Sequence, residues 1–311
     1  MIPVSLARPG ALKQGDRVAV LCASSPVEPG ALAAGLDALR FAGLDPVTYP
    51  STHDPGTMRR YLAGDDAMRA GDLRSALTEP GIAGILFARG GSGAQRTLEA
   101  MDWDGLNPEA GMPPKVLAGY SDVTAVLEAV AVRLGWASVF GPMVAIREGA
   151  SHYSFGSLLR TLMRPEQATV IQYPRAVTVV PGLARGVTTG GTLCLLASSL
   201  ATGTSRPARG GILLLEDVNE EDYRIDRMLT QLRRSGYLDG VAGIVAGTFT
   251  NCGPPEMIQN ILTERLGDLN VPMIAWANVG HGGLFQAFPY GIAAELDAGT
   301  ATLRLLEPPL S

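Results

Sequence analysis

One arrangement recurs along the first half of this chain: a short apolar run, a turn of small residues, then a helical pattern. It appears as "DRVAVLCASSP" leading to "EPGALAAGLDALRFAGL", as "IAGILFARGGSGAQRTLEAM", and as "KVLAGYSDVTAVLEAVAVRLG". Continuous apolar, β-branched runs read as strands buried on both faces. Strands joined through helices pair in parallel, because a helix is long enough to carry the chain back to the start of the sheet. The first helix places Leu32, Leu36, Leu39 and Phe41 near helical spacing, and Gly43 closes it.

The pattern changes near residue 148. "EGASHYSFGSLLRTLMRPEQATVIQYPRAVTVVPG" holds several prolines and no sustained period, and reads as a connection. A second compositional unit begins near "ARGVTTGGTLCLLASSLAT" and continues through "GGILLLEDVNEEDYRIDRMLTQLRRSG", "GVAGIVAGTFTNC" and "VPMIAWANVGHGG". After Asp222, residues Ile225, Met228, Leu229 and Leu232 define one apolar helix face. The expected division is an α/β domain over 1–150, a connecting region over 151–185 and a second α/β domain over 186–311.

Charge and cysteine content exclude several classes. The net charge is −5 and only 18% of residues are charged, so no dense basic face is available for nucleic acid or an anionic membrane. Cys22, Cys194 and Cys252 are far apart and show no C-x-x-C spacing, which argues against a disulfide framework or structural zinc. The opening residues show no basic region followed by a long apolar stretch, and no segment is apolar enough to span a bilayer. The expectation is a cytoplasmic protein.

Within "LAGYSDVTAVL", Ser121 stands between an apolar run and a helix, with Gly119 two residues before it. A tight strand-to-helix turn of this kind can project a serine hydroxyl as a nucleophile. The amide of Asp122 would then lie at a helix N-terminus, where an oxyanion is stabilised. The same residues also suit a plain helix start, with Ser121 as N-cap and Asp122 as a first-turn acid. A nucleophile needs a base. Of His53, His152 and His281, the last follows a strand-like run and is flanked by Gly280, Gly282 and Gly283, which permit close approach. An orienting carboxylate could come from Glu216, at the end of "GGILLLEDV", with Asp217 as its rival pointing to the opposite side. The loop "FARGGSGAQR", with Gly90, Gly91 and Gly93, fits neither nucleotide-binding glycine pattern, and better suits amides presented to an oxyanion or carboxylate.

Taken together, these segments resemble the LD-carboxypeptidase (muramoyltetrapeptide carboxypeptidase) family of serine peptidases, which also includes microcin-immunity relatives. The resemblance runs through "LKQGDRVAVLCASSP", "YLAGDDAMRAGDL", "GILFARGGSGAQR", "GYSDVTAV", "FGPM", "TGGTLCLL", "LLLEDVNEEDYRIDRML" and "VGHGG" leading to Pro289 and Gly291. It implies an N-terminal flavodoxin-like parallel sheet, a smaller C-terminal α/β domain, a site between them and a homodimer. It also implies a triad of Ser121, Glu216 and His281, with oxyanion-hole amides from Asp122 and Gly91 and no metal or cofactor. Family substrates are murein tetrapeptides, cut between the L-centre of a diamino acid and the terminal D-alanine. Arg89 and Arg224 are candidates for the substrate carboxylate, each with a structural ion-pair role as the competing reading. Two positions depart from the family pattern: Ser92 replaces the tyrosine of R-G-G-Y-G, near the pocket, and Thr192 replaces the asparagine of G-G-N-L. The alternatives are a hydrolase of aminoacyl sulfamoyl-adenylate amides and a non-catalytic binding relative. The former needs an aromatic surface for adenine, and Trp103, Trp136 and Trp276 read as structural.

Overall fold

The recurring strand–turn–helix units assemble into a single sheet. In the computed structural model, residues 4–54, 60–106, 108, 111–145 and 152–311 are described. Strands β1 (Arg17–Leu21), β2 (Asp45–Thr48), β3 (Gly84–Phe87), β4 (Val116–Gly119) and β5 (Ser138–Phe140) are all parallel, in the order β2-β1-β3-β4-β5. That is the flavodoxin-like order, whose ligands sit beyond the carboxyl ends of the strands. Alternation along β1 sets the two faces. Ala19 and Leu21 share a core with helices α2 (Asp66–Thr78), α3 (Ala94–Ala100) and α4 (Thr124–Arg133). Val18 and Val20 face the other way, onto α1 (Pro29–Phe41) and α5 (His152–Met163).

Two expectations are corrected here. Leu32 and Leu39 of α1 are buried, whereas Phe41 is 96% exposed. At 100° per residue, position 41 has turned off the face that Leu32, Leu36 and Leu39 share. The stretch read as a connection is also structured. It holds α5, then β6 (Val170–Gln172) and β7 (Val177–Val180), which are the two edges of a second sheet. The strands are too short to declare a period; α5 does carry a helical stripe, Phe155, Leu158, Leu159, Leu162 and Met163, of which Leu158 and Leu162 are buried and the others partly so.

The second sheet has eight strands in the order β6-β14-β13-β8-β9-β10-β11-β7. Its parallel centre is β8 (Leu183–Thr192), β9 (Gly211–Val218), β10 (Gly243–Thr250) and β11 (Met273–Ala275). Strands β13 (Ala293–Asp297) and β14 (Thr302–Leu305) extend it as antiparallel partners. Helices α6 (Leu193–Ser198), α7 (Asp222–Arg234) and α8 (Pro255–Leu266) cover one face. As the spacing predicts, Ile225, Leu229 and Leu232 of α7 are buried, and Met228 packs partly buried beside them.

The chain then returns to the first sheet. β12 (Phe288–Tyr290) pairs antiparallel with β5, although it lies deep in the C-terminal half of the sequence. Gln95 of α3 adds a polar tie, donating from Nε2 to Ser198 Oγ at 2.9 Å and Ser199 Oγ at 3.0 Å. These links hold the carboxyl ends of β4 and β9 towards each other. Among the described residues, no helix is long and apolar enough to cross a membrane.

Candidate active site

The buried strand β4 ends at Gly119, and the chain must turn at once to begin α4. Ser121 makes that turn with φ of +61°, in the left-handed region that side chains rarely enter. The cap positions fall on other residues: Tyr120 ahead of the 3-10 turn Ser121–Val123, and Val123 ahead of α4. The N-cap reading therefore fails, and the strain instead aims the hydroxyl away from α4. Asp122 falls in the first turn, where amides have no intrahelical acceptor.

Ser121 Oγ lies 3.0 Å from His281 Nε2. The other ring nitrogen, Nδ1, is 2.7 Å from Glu216 Oε2. The same oxygen accepts the His281 main-chain amide at 3.1 Å. Glu216 is fully buried, and its second oxygen, Oε1, accepts the Thr192 hydroxyl at 2.5 Å. Gly280 lets this happen: at φ of +108°, a Cβ there would stand 2.3 Å from Glu216 Oε2. Alternation along β9 separates the two acids, as expected. Asp217 points away and accepts the amides of Cys194 and Val218, both at 2.8 Å. Burial pushes its carboxyl up to about 6, against those two hydrogen bonds.

The glycine loop after β3 lies against the Ser121 turn. A Cβ on Gly90 would come within 3.1 Å of Ser121 Oγ. The Asp122 side chain ties the loops together, with Oδ2 accepting from Ser24 Oγ at 2.6 Å and from the Ala94 amide at 2.7 Å. Burial raises this carboxyl above its ordinary range, and the two donors oppose that rise. Ser25 Oγ takes the Ser92 amide at 3.1 Å, while Gly91 and Ser92 are exposed at the loop tip.

Other candidates sit elsewhere. His53 is exposed, with Nε2 3.1 Å from Thr48 Oγ1. The His152 side chain lies outside the described residues. Arg89 donates to the carbonyls of Pro26 and Gly90, at 3.1 and 3.2 Å, and so braces the glycine loop. Arg224 forms an ion pair with Glu220 at 2.5 Å. Cys194, Asp217 and Glu220 bring potential metal ligands within 4.8 Å of one another, but Asp217 is engaged with amides and Glu220 with Arg224.

Sequence reasoning did not single out Tyr120. Its ring packs 4.7 Å from the His281 ring and 4.8 Å from Phe285, forming an apolar wall behind the imidazole. The only local signal is its position next to Ser121, because the contact depends on a residue distant in sequence.

A serine on a strained turn, a histidine within hydrogen-bond reach of it and a buried carboxylate behind the histidine are the parts of an acyl-transfer site on an α/β fold. Residues 18–141 match the LD-carboxypeptidase N-terminal domain, and residues 185–296 match its C-terminal domain. The chain belongs to the LD-carboxypeptidase family. A Streptomyces coelicolor protein that bears the name carboxypeptidase is 48% identical over 307 residues, covering 98% of both chains. The murein tetrapeptide carboxypeptidase of Pseudomonas aeruginosa is 31% identical over 296 residues, covering 90% of this chain and 93% of its own. The fold also matches that of the microcin C7 self-immunity protein MccF in complex with aspartyl sulfamoyl adenosine. That match has a TM-score of 0.86 at 21% identity and covers 98% of this chain and 99% of that one.

Proposed function

We propose that this protein is a serine LD-carboxypeptidase that releases terminal D-alanine from murein tetrapeptides, with Ser121 as nucleophile, His281 as base and Glu216 as the residue that orients it. The observation that carries this reading is the unbroken chain from Ser121 Oγ through His281 to the buried Glu216 carboxylate. Ser121 Oγ attacks the peptide carbonyl while its proton passes to His281 Nε2. The carbonyl oxygen becomes an oxyanion held by the amides of Asp122 and Gly91, each contributing roughly 3 kcal/mol to the barrier reduction. His281 then gives the proton to the nitrogen of the departing D-alanine, and the C–N bond breaks. Water, deprotonated by His281, cleaves the acyl-enzyme and restores Ser121.

The substrate class is supported by the name of the Pseudomonas aeruginosa relative. A small muropeptide or free peptide fits a site whose glycine loop is open at Gly91 and Ser92. Ser92, with its short side chain, widens the pocket where the family pattern has tyrosine. Arg89 shapes this loop through its backbone contacts, and the loop amides meet the peptide's terminal carboxylate. Arg224 serves the surface ion pair with Glu220. The adenylate-amide alternative lacks its aromatic shelf among the tryptophans. Trp136 is buried, Trp103 packs on the core, and Trp276 donates to Gln259 at 2.7 Å. On this reading the enzyme works in the cytoplasm, in cell-wall recycling, as a homodimer.

The test is D-alanine release from L-Ala-D-Glu-meso-diaminopimelate-D-Ala, run beside the isomer ending in L-alanine and beside an aspartyl sulfamoyl adenosine substrate. Release from the first alone supports the reading. Cleavage of only the adenylate analogue would replace it.

A further inference from the structure

The Glu216 carboxylate is buried in the second sheet, yet it must hold its place relative to a nucleophile on the first. The donors recorded for it are the His281 ring, the His281 amide and the Thr192 hydroxyl. Thr192 ends β8 directly beside Glu216 in the parallel register. Its own amide donates to Thr124 Oγ1 at 3.1 Å. Thr124 opens α4, three residues after Ser121. Both threonines are nearly inaccessible, at 2% and 1% exposed. Gly191 permits the approach: at φ of +147°, a Cβ there would lie 2.7 Å from Thr124 Cγ2.

We propose that Thr192 is a positioning residue: pinned through its amide to the nucleophile's helix, its hydroxyl fixes the carboxylate that orients His281. This rests on the triad reading given above. A buried carboxylate needs its lone pairs occupied, or it moves or takes up a proton. With Oε2 committed to His281, Oε1 depends on Thr192. The hydroxyl also draws negative charge away from the His281 side. Removing it destabilises the anion most when His281 is neutral, so the Glu216–His281 pair would take up a proton at higher pH. The other titratable groups near Glu216 are Asp217, Cys194 and Cys252. Each is coupled to the Glu216 charge, so the titration is read from the His281 ring signals themselves.

The experiment compares Thr192→Val, Thr192→Ser and Thr124→Val with the natural chain by two substrate-independent readouts. One is the His281 titration by NMR, and the other is the pH profile of labelling by a fluorophosphonate probe. Tetrapeptide kcat and KM complete the set. For Thr192→Val, the labelling rate and kcat fall about ten- to a hundredfold, the loss of one hydrogen bond to a charged group. KM changes by less than about twofold, as befits a residue that does not touch substrate. The acid limb moves up by about half to one pH unit. Thr192→Ser restores the rate to within about threefold, since the hydroxyl is regained. Thr124→Val slows labelling with the acid limb unmoved, and it carries the test if Thr192→Val does not fold. Unchanged labelling and titration in Thr192→Val, or unchanged labelling in Thr124→Val in its place, overturn the proposal, as does a loss that serine does not rescue. A shifted titration together with no tetrapeptide cleavage by the natural chain would sink the substrate reading and leave the positioning role standing.

Discussion

Glu216 Oε2 accepts two hydrogen bonds from His281, one from the ring at 2.7 Å and one from the main chain at 3.1 Å. The carboxylate therefore ties down both the imidazole ring and the loop that carries it. Glu216→Gln keeps the shape and presents an amide where a proton acceptor is needed. A kcat loss of about 10³- to 10⁴-fold with little change in KM is expected, as for the loss of an orienting acid elsewhere. Steady-state kinetics on the tetrapeptide checks it, and a loss below tenfold would deny Glu216 its orienting role.

Gly280 is the second requirement of that contact. An alanine there would be strained at φ of +108° and would drive its Cβ to 2.3 Å from Glu216 Oε2. Gly280→Ala is expected to cost about 1–3 kcal/mol of stability and to slow serine-probe labelling together with it. Thermal melts and labelling rates read both. Full activity in Gly280→Ala would mean that the loop and acid are not packed as described.

The stability of the chain should also carry a pH signature from outside the site. Glu128, on α4, accepts from Ser205 Oγ at 2.9 Å and the Arg206 amide at 3.3 Å, while its other oxygen is buried without a hydrogen bond. Burial pushes its carboxyl up from 4.5 to about 7. The folded chain thus holds this proton more tightly than the unfolded chain. Its stability is lost as pH rises through that window. Glu128→Gln removes the loss: the variant and the natural chain should melt together near pH 4. At pH 8 the variant should be more stable by roughly 3 kcal/mol. A gap that does not grow with pH contradicts the assignment.

How much of this was legible in the sequence follows from how local each feature is. Val18 to Leu21 and Gly84 to Phe87 announce buried parallel strands, because each run is continuous and a helix follows within a few residues. That alternation gives the parallel pairing of the first sheet, while its flavodoxin-like order was implied only by the family resemblance. The membership of β12 follows from neither, since its three residues pair with β5 across about half the chain. Alternation on β9 was enough to set Glu216 and Asp217 on opposite sides. Ser121 was ambiguous because a nucleophile turn and an N-cap use the same residue types, and only its backbone conformation separates them. Tyr120 touches His281, and Thr192, marked in the sequence only as a departure from G-G-N-L, bonds Glu216; both partners lie far along the chain, so no local pattern announces the contacts.

In the proposed mechanism Ser121 Oγ is the atom that bonds to substrate. The most direct measurement is intact-protein and peptide mass spectrometry after fluorophosphonate treatment, with D-alanine release followed in parallel for the natural chain and Ser121→Ala. One adduct is expected, located on Ser121, with release abolished both by the label and by Ser121→Ala. An adduct on another residue, or D-alanine release that persists in a folded Ser121→Ala protein, would contradict it.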